Sequence, residues 1–297
     1  MKRPAAALRT AIRGGPIVLA PGAYDALSAK VIEDLGFPAV YLGGTVIAAA
    51  LAGLPDVGLL GAAEIAGFAA HVARAVSIPV ICDADAGYGN PAGIMRTVAL
   101  FEQAGVAAIH IEDEVFPRTR YVGQARQLCS VDEMRARIAA ALTAKQDPDF
   151  VIIARTDARA GSSFEEALSR AIAYAVEGAD MVYVEHLTSR EEFVTVAETL
   201  RDRASLFANM SEFSRYPLLP AAELDALGYR LVIFPLTTLR AALKATVEVL
   251  EEIKRNGTQG GVLDRLAARE EIGRLTGADE ALRLEKKYLP PEKSTGE

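Results

Sequence analysis

Short apolar runs alternate with longer segments of helical apolar spacing along most of this chain, and the alternation is regular. Ile17-Val18-Leu19-Ala20 closes on Pro21-Gly22, and residues 25–35 then carry a helical pattern that stops at Gly36. Ala39-Val40-Tyr41-Leu42 repeats the strand and ends at Gly43-Gly44. The small-residue stretch beyond it, reaching Leu54-Pro55-Asp56, reads as a long apolar loop tucked over something. Residues 62–76 predict the next helix and 78–83 the third strand. Residues 91–104 form a helix with Pro91 in its first turn and Gly105 just past its end. Strand four, 106–111, runs into Glu112-Asp113-Glu114. Residues 115–130 show no period and read as a long loop, a length that in compact domains usually serves a function. Ser130-Val131-Asp132-Glu133 is a capping-box pattern opening a helix to residue 144. Strands at 150–154, 181–184, 205–208 and 230–234 follow, separated by helices at 163–177, 189–200 and 221–227. A long helix, 238–255, precedes a charge-rich helical segment at 262–288 and a polar tail.

Strand-then-helix units in this number and order predict an α/β fold: a (β/α)8 TIM-type barrel with additional C-terminal helices. We place the barrel domain at residues 1–259 and the helical extension at 260–297. A doubly wound open sheet is the competitor, and Gly87-Tyr88-Gly89 lacks the third glycine of a dinucleotide fingerprint. Apolar residues make up 51% of the chain, enough for a sizeable core, while a net charge of −7 argues against a nucleic-acid or anionic-membrane partner. Arg9 and Arg13 interrupt any secretory apolar stretch. Residues 37–55 are free of charge but contain Gly43-Gly44, Gly53 and Pro55, so no membrane span is expected. Two cysteines, Cys82 and Cys129, have neither metal-ligand nor disulfide-scaffold spacing, and a reducing cytoplasm is expected.

In such barrels the C-terminal strand ends carry the site. Those ends are Tyr41/Gly43/Gly44, Asp83/Asp85, Glu112, Arg155, Glu185/His186, Asn209 and Pro235. Asp83 and Asp85, two apart on a strand, share a face about 6 to 7 Å apart. Carboxylates aimed at one point call for a hard divalent ion such as magnesium, with manganese as the other candidate. Arg155 suits a substrate carboxylate through two-pronged hydrogen bonding. Together these point to a small oxyacid whose α-oxygen and carboxylate chelate the metal, the metal stabilising an enolate as a bond to the neighbouring carbon or phosphorus breaks. Other readings stand beside this one. Glu112 or Glu185 can be an ion-pair partner of Arg155, and Tyr41 can be plain core. His186 reads as a packing or hydrogen-bonding residue and His71 as structural. His110 is read as facing the opposite side of its strand from Glu112, and Cys82 as packing against helices.

At these residues the chain resembles the isocitrate lyase and phosphoenolpyruvate mutase superfamily, and most closely its methylisocitrate lyase-like branch. The matching stretches include Pro21-Gly22-Ala23-Tyr24-Asp25, Tyr41-Leu42-Gly43-Gly44, Gly53-Leu54-Pro55-Asp56 and Asp83-Ala84-Asp85-Ala86-Gly87-Tyr88-Gly89. Further matches are His110-Ile111-Glu112-Asp113, Ile153-Ala154-Arg155-Thr156-Asp157-Ala158, Ala208-Asn209-Met210-Ser211-Glu212-Phe213 and Phe234-Pro235-Leu236. The resemblance implies that Asp85 is the direct magnesium ligand, with Asp56, Asp83 and Glu112 in its water-mediated shell. It implies that Tyr41, Gly43 and Gly44, with Thr45 beside them, cradle the substrate carboxylate, that Arg155 binds substrate, and that Glu185 and Asn209 line the pocket. It also implies a homotetramer with C-terminal helices exchanged between subunits. The family's Lys-Lys/Arg-Cys-Gly-His loop signature is replaced by Arg118-Thr119-Arg120-Tyr121-Val122. The expected catalytic set is therefore Arg155 and Glu112, with Tyr121 as acid or base, its phenol tuned by Arg118 or Arg120. The activity expected is magnesium-dependent lysis or decarboxylation of a small 2-oxo or 2-hydroxy di- or tricarboxylic acid, resembling oxaloacetate or methylisocitrate. Phosphorus–carbon mutase or hydrolase chemistry, which Phe116-Pro117-Arg118-Thr119 resembles, and a non-catalytic carboxylate-binding role are the alternatives.

Overall fold

The computed structural model describes residues 3–117, 126–213 and 217–289. Eight parallel strands, β1 (Val18–Pro21), β2 (Val40–Leu42), β3 (Val80–Asp83), β4 (Ala108–Glu112), β5 (Val151–Thr156), β6 (Met181–Val184), β7 (Ser205–Asn209) and β8 (Tyr229–Phe234), pair in the order β1-β8-β7-β6-β5-β4-β3-β2. The remaining seam, between β1 and β2, is joined by a single parallel bridge from Gly22 to Tyr41, with the Ala23 amide donating to the Tyr41 carbonyl at 2.9 Å. The barrel is thus nearly closed.

Most strand residues are buried on both faces, with half-buried positions only in β1, β7 and β8, which explains why the strands read as continuous apolar runs. Alternate residues divide between two layers. Val18, Ala20, Tyr41, Ile81, Val151, Ile153, Met181, Tyr183, Phe207, Leu231 and Ile233 fill the barrel interior. Leu42, Cys82, Ile109, Ile152 and Ala154 pack outward with helices, as do Val182, Val184, Leu206 and Val232. Cys82 packs against the helices as expected. Continuing the interior face one step past each apolar run delivers Asp83, Glu112, Arg155, Glu185 and Asn209 to the C-terminal rim.

Two elements differ from the sequence reading. The stretch read as a long apolar loop after β2 contains the helix Gly44–Ala52, capped by Gly53 at φ 63°. Its alanine-rich sequence favours a helix, and periodicity failed there because the segment is apolar nearly all round. The second is the helix Pro4–Arg13, where no element was expected. Its Leu8 and Ile12 join the interior cluster, and Arg9 donates to the carbonyl oxygens of Phe150 (2.7 Å) and Asp149 (3.1 Å) and pairs with Asp180 at 2.8 Å. These partners precede β5 and β6, so the helix plugs the end of the barrel opposite the site. A buried arginine satisfied by backbone carbonyls stabilises that floor.

Contacts divide the chain into compact units Met1–Ala241 and Ala242–Glu297. The second unit contains the 3-10 helix Gly260–Arg265 and the helices Arg269–Thr276 and Ala278–Tyr288. Among its described residues Val262 is buried, whereas Leu250, Leu263, Ile272, Leu282 and Tyr288 are exposed.

Candidate active site

A cavity of about 210 Å³ opens at the C-terminal strand ends. It brings together Tyr41, Gly43, Gly44, Thr45, Asp56, Asp83, Arg155, Glu185 and Asn209 of the expected set, along with Arg126, Tyr183 and His186. Asp85 lines two smaller adjoining cavities, one of them shared with Gly44 and Asp56. Glu112 is fully buried behind Arg155, its Oε2 3.5 Å from Nη1. Arg120 and Tyr121 lie outside the described residues.

The acidic wall is built on close backbone approach. The Gly44 amide, at the start of the Gly44–Ala52 helix, donates to Asp83 Oδ2 at 3.1 Å, and the Asp85 amide donates to Asp83 Oδ1 at 2.9 Å. A Cβ on Gly44 would fall 3.1 Å from Asp83 Oδ2 and 3.5 Å from Asp56 Oδ1, so glycine leaves room between these two carboxylates. Asp56 accepts from the Thr45 hydroxyl at 2.7 Å, and Asp85 from the Tyr88 hydroxyl at 2.7 Å. Asp85 itself has φ 45°, a left-handed conformation costly for most non-glycine residues and held by its surroundings. Asp56, Asp83, Asp85 and Glu112 are all hard oxygen donors, the set magnesium prefers, so the donor chemistry fits such an ion.

The acidic oxygens that already lie within 4.8 Å of one another among the described residues are those of Glu112, shared with that set, and of Glu114 and Asp157. That group could hold an ion by proximity, but the guanidinium groups of Arg155 and Arg126 already pair with its members. Arg155 grips Asp157 with both Nε and Nη2 at 2.8 Å. Arg126 Nη1 reaches Asp157 at 2.6 Å and also pairs with Glu114. Burial alone would raise the Asp157 pKa; Arg155 and Arg126, with His186 Nε2 3.4 Å away, outweigh it and hold the carboxyl well below its usual range. We read this cluster as an ion-pair network.

Beneath the cavity the Tyr41 hydroxyl meets His110 Nε2 at 2.8 Å, and His110 Nδ1 lies 3.4 Å from Asp83. His110 therefore shares the interior face with Glu112, contrary to the sequence reading; the two are two residues apart, and strand side chains repeat with that period. Burial lowers the His110 pKa despite the nearby Asp83. On the facing strands Tyr183 donates to Glu185, and Asn209 Nδ2 donates to the Tyr183 oxygen (3.0 Å) and to Glu185 (3.2 Å). The Arg155 guanidinium sits 5.2 Å from the Tyr183 ring centroid.

Sequence reasoning did not single out Asp157, Tyr183, Glu114 or Arg126 as site residues. The signal for the first two was present: Asp157 and Tyr183 lie two residues from Arg155 and Glu185, the same spacing that paired Asp83 with Asp85. Arg126 sits in a segment without period and carried no such signal.

The family model for phosphoenolpyruvate phosphomutase matches residues 8–254. Over 277 residues the chain is 44% identical to a 2-methylisocitrate lyase of Aeropyrum pernix, covering 93% of this chain and 88% of that protein. It is 41% identical to the 2,3-dimethylmalate lyase of Eubacterium barkeri, covering 96% and 98% respectively. The crystal structure of a phosphoenolpyruvate phosphomutase from Streptomyces platensis subsp. rosaceus superposes with a TM-score of 0.91 at 34% identity, over 96% of this chain and 99% of that one. The chain belongs to the phosphoenolpyruvate phosphomutase family, in the methylisocitrate lyase-like branch of the superfamily shared with isocitrate lyase.

Proposed function

We propose that this protein is a divalent-metal-dependent carbon–carbon lyase acting on a small 2-hydroxy or 2-oxo di- or tricarboxylic acid and releasing a pyruvate-type fragment. One observation carries the reading. A single cavity joins the N-terminal end of the Gly44–Ala52 helix, hard carboxylate donors and the guanidinium of Arg155. Asp85, with Asp56, Asp83 and Glu112, would hold magnesium, or manganese in its place. The ion supplies positive charge where an enolate oxygen develops. Gly43, Gly44 and Thr45 would border the α-carboxylate, which the first-turn helix amides beyond the one that Asp83 takes would favour. Glu185, gripped by Tyr183 and Asn209, faces the substrate's polar substituents. From a 2-oxo acid, loss of carbon dioxide would leave an enolate that Tyr121 or water protonates; from a 2-hydroxy acid, a base takes the hydroxyl proton as the carbon–carbon bond breaks to the keto fragment, and the departing acid's carbanion takes its proton from Tyr121 or water.

Phosphorus–carbon chemistry is the second reading, favoured by the likeness to the phosphomutase structure. Proton and phosphorus NMR decide between them, using oxaloacetate, 2-methylisocitrate, substituted malates, phosphoenolpyruvate and phosphonopyruvate, with magnesium and with chelator. Magnesium-dependent release of pyruvate or an analogue from a carbon acid is the expected result. Conversion of a phosphorus compound alone would overturn it.

We further propose a homotetramer in the cytoplasm. Two buried, unbridged cysteines suit a reducing compartment, and no helix among the described residues is long and apolar enough to cross a membrane. Leu250, Leu263, Ile272 and Leu282 are apolar side chains exposed in the C-terminal unit, and exchange of these helices between subunits would cover them. Light scattering on the full chain is expected to give four times the chain mass of 31.6 kDa, and a monomer mass would sink the idea.

A further inference from the structure

The two-pronged edge of Arg155 is committed inside the protein. Its Nε and Nη2 both end on Asp157, and Nη1 faces Glu112. Arg126 differs. Its contacts to Glu114 and Asp157 both use Nη1, and its Nε and Nη2 have no protein partner among the described residues. Its side chain is 17% exposed, against 8% for Arg155, and it lines the same cavity as Gly43, Gly44 and Asn209. Asp157, placed between the two guanidinium groups, fixes their relative position.

We propose that Arg126 is the specificity-determining residue for the substrate's second carboxylate, which its Nε/Nη2 edge binds in two-pronged fashion, beside an Arg155 whose own Nε/Nη2 edge is held by Asp157. The proposal rests on the reading of the cavity as a site for small carboxylic acids. An α-carboxylate at the helix N-terminus leaves a distal carboxylate in need of a cation with a free planar edge, and Arg126 supplies it. A monocarboxylic 2-hydroxy acid would gain nothing from this residue.

Malate and lactate, which differ in the distal carboxylate, test the idea by titration calorimetry on the full chain with magnesium present. Wild type is expected to prefer malate. Arg126→Gln should cut that preference by roughly 10- to 100-fold while leaving lactate affinity within about twofold. Arg126→Lys keeps the charge that Asp157 and Glu114 require but loses the fork, so its preference should fall part of the way. Equal loss on both acids in Arg126→Gln would overturn the proposal, because it would make Arg126 a partner of Asp157 and nothing more. An unchanged preference in either variant, or none in wild type, would overturn it as well. If Arg126→Gln does not fold, Arg126→Lys decides alone: full retention of the preference refutes the assignment. Turnover separates this from the broader reading. Lyase activity without a dependence on Arg126 defeats this proposal only, whereas Arg126-dependent malate binding without cleavage of any carbon acid defeats the lyase reading.

Discussion

Asp85→Ala is expected to lower turnover by about 10³-fold or more and to weaken magnesium binding, with little change in thermal stability. The expectation follows from where Asp85 stands. It lies in the turn just past the third strand in a left-handed conformation, φ 45°, with its amide on Asp83 and its carboxylate on the Tyr88 hydroxyl. A residue held in that conformation without being glycine costs the fold about 1 kcal/mol or more. Losing the tyrosine bond costs about as much, and removing one of several clustered carboxylates gives some of it back. Asp85→Gly should be as inactive as the alanine variant and more stable, because glycine adopts positive φ freely. Calorimetric titration of magnesium reads the first effect without substrate, and thermal unfolding reads the second. Wild-type magnesium affinity in Asp85→Ala would remove this residue from the ion's shell.

The second large effect is on stability. Asp157→Asn should destabilise the protein by about 3 to 5 kcal/mol, because it leaves the guanidinium groups of Arg155 and Arg126 buried around a neutral amide. In a chain of this size that corresponds to a fall in Tm on the order of 10 °C. The loss depends on pH with a definite sign. The Asp157 carboxyl titrates well below its usual range in the folded protein, burial opposing and Arg155 and Arg126 prevailing. Its contribution is therefore complete above the ordinary carboxylate pKa of about 4 and disappears as pH falls towards the lower folded value. Urea unfolding of wild type and variant at neutral pH and at successively lower pH measures it. A gap under about 1 kcal/mol at pH 7 would show that the neighbouring glutamates already satisfy both arginines.

The barrel was legible because its strands are buried on both faces and most of the helices packed on them, such as Ala62–Ala75 and Phe164–Glu177, on one, so short continuous apolar runs stood apart from apolar positions at helical spacing. The polar residues at strand ends were legible for a related reason: an acid or amide placed one step beyond an apolar run has few other purposes. What the chain order could not convey is pairing across strands. Nothing in the sequence says that the fork of Arg155 closes on Asp157 rather than on a ligand, or that Arg126, from a segment without period, arrives beside it. His110 and Glu112, two residues apart, share one face by the strand period, and the two histidine contacts that fix its role, to Tyr41 and Asp83, lie on β2 and β3, which chain order does not reveal. The helix Pro4–Arg13 escaped notice because its short, arginine-broken apolar pattern is legible only against the barrel floor it fills.

The β1 seam also sets an order of events. Val18 pairs with Leu231 and Pro21 with Phe234, and the amide of Gly22 donates to the Phe234 carbonyl at 3.0 Å, where even a methyl group on Gly22 would collide with the Pro235 oxygen at 2.1 Å. The first strand made therefore has its principal partner in the last. A nascent chain emerging from the ribosome carries an unpaired β1 edge until nearly the whole barrel has been synthesised, and ring closure is among the most non-local contacts the fold contains. Truncation before Tyr229 would leave an open sheet with two bare edges, a species suited to aggregation rather than to partial activity.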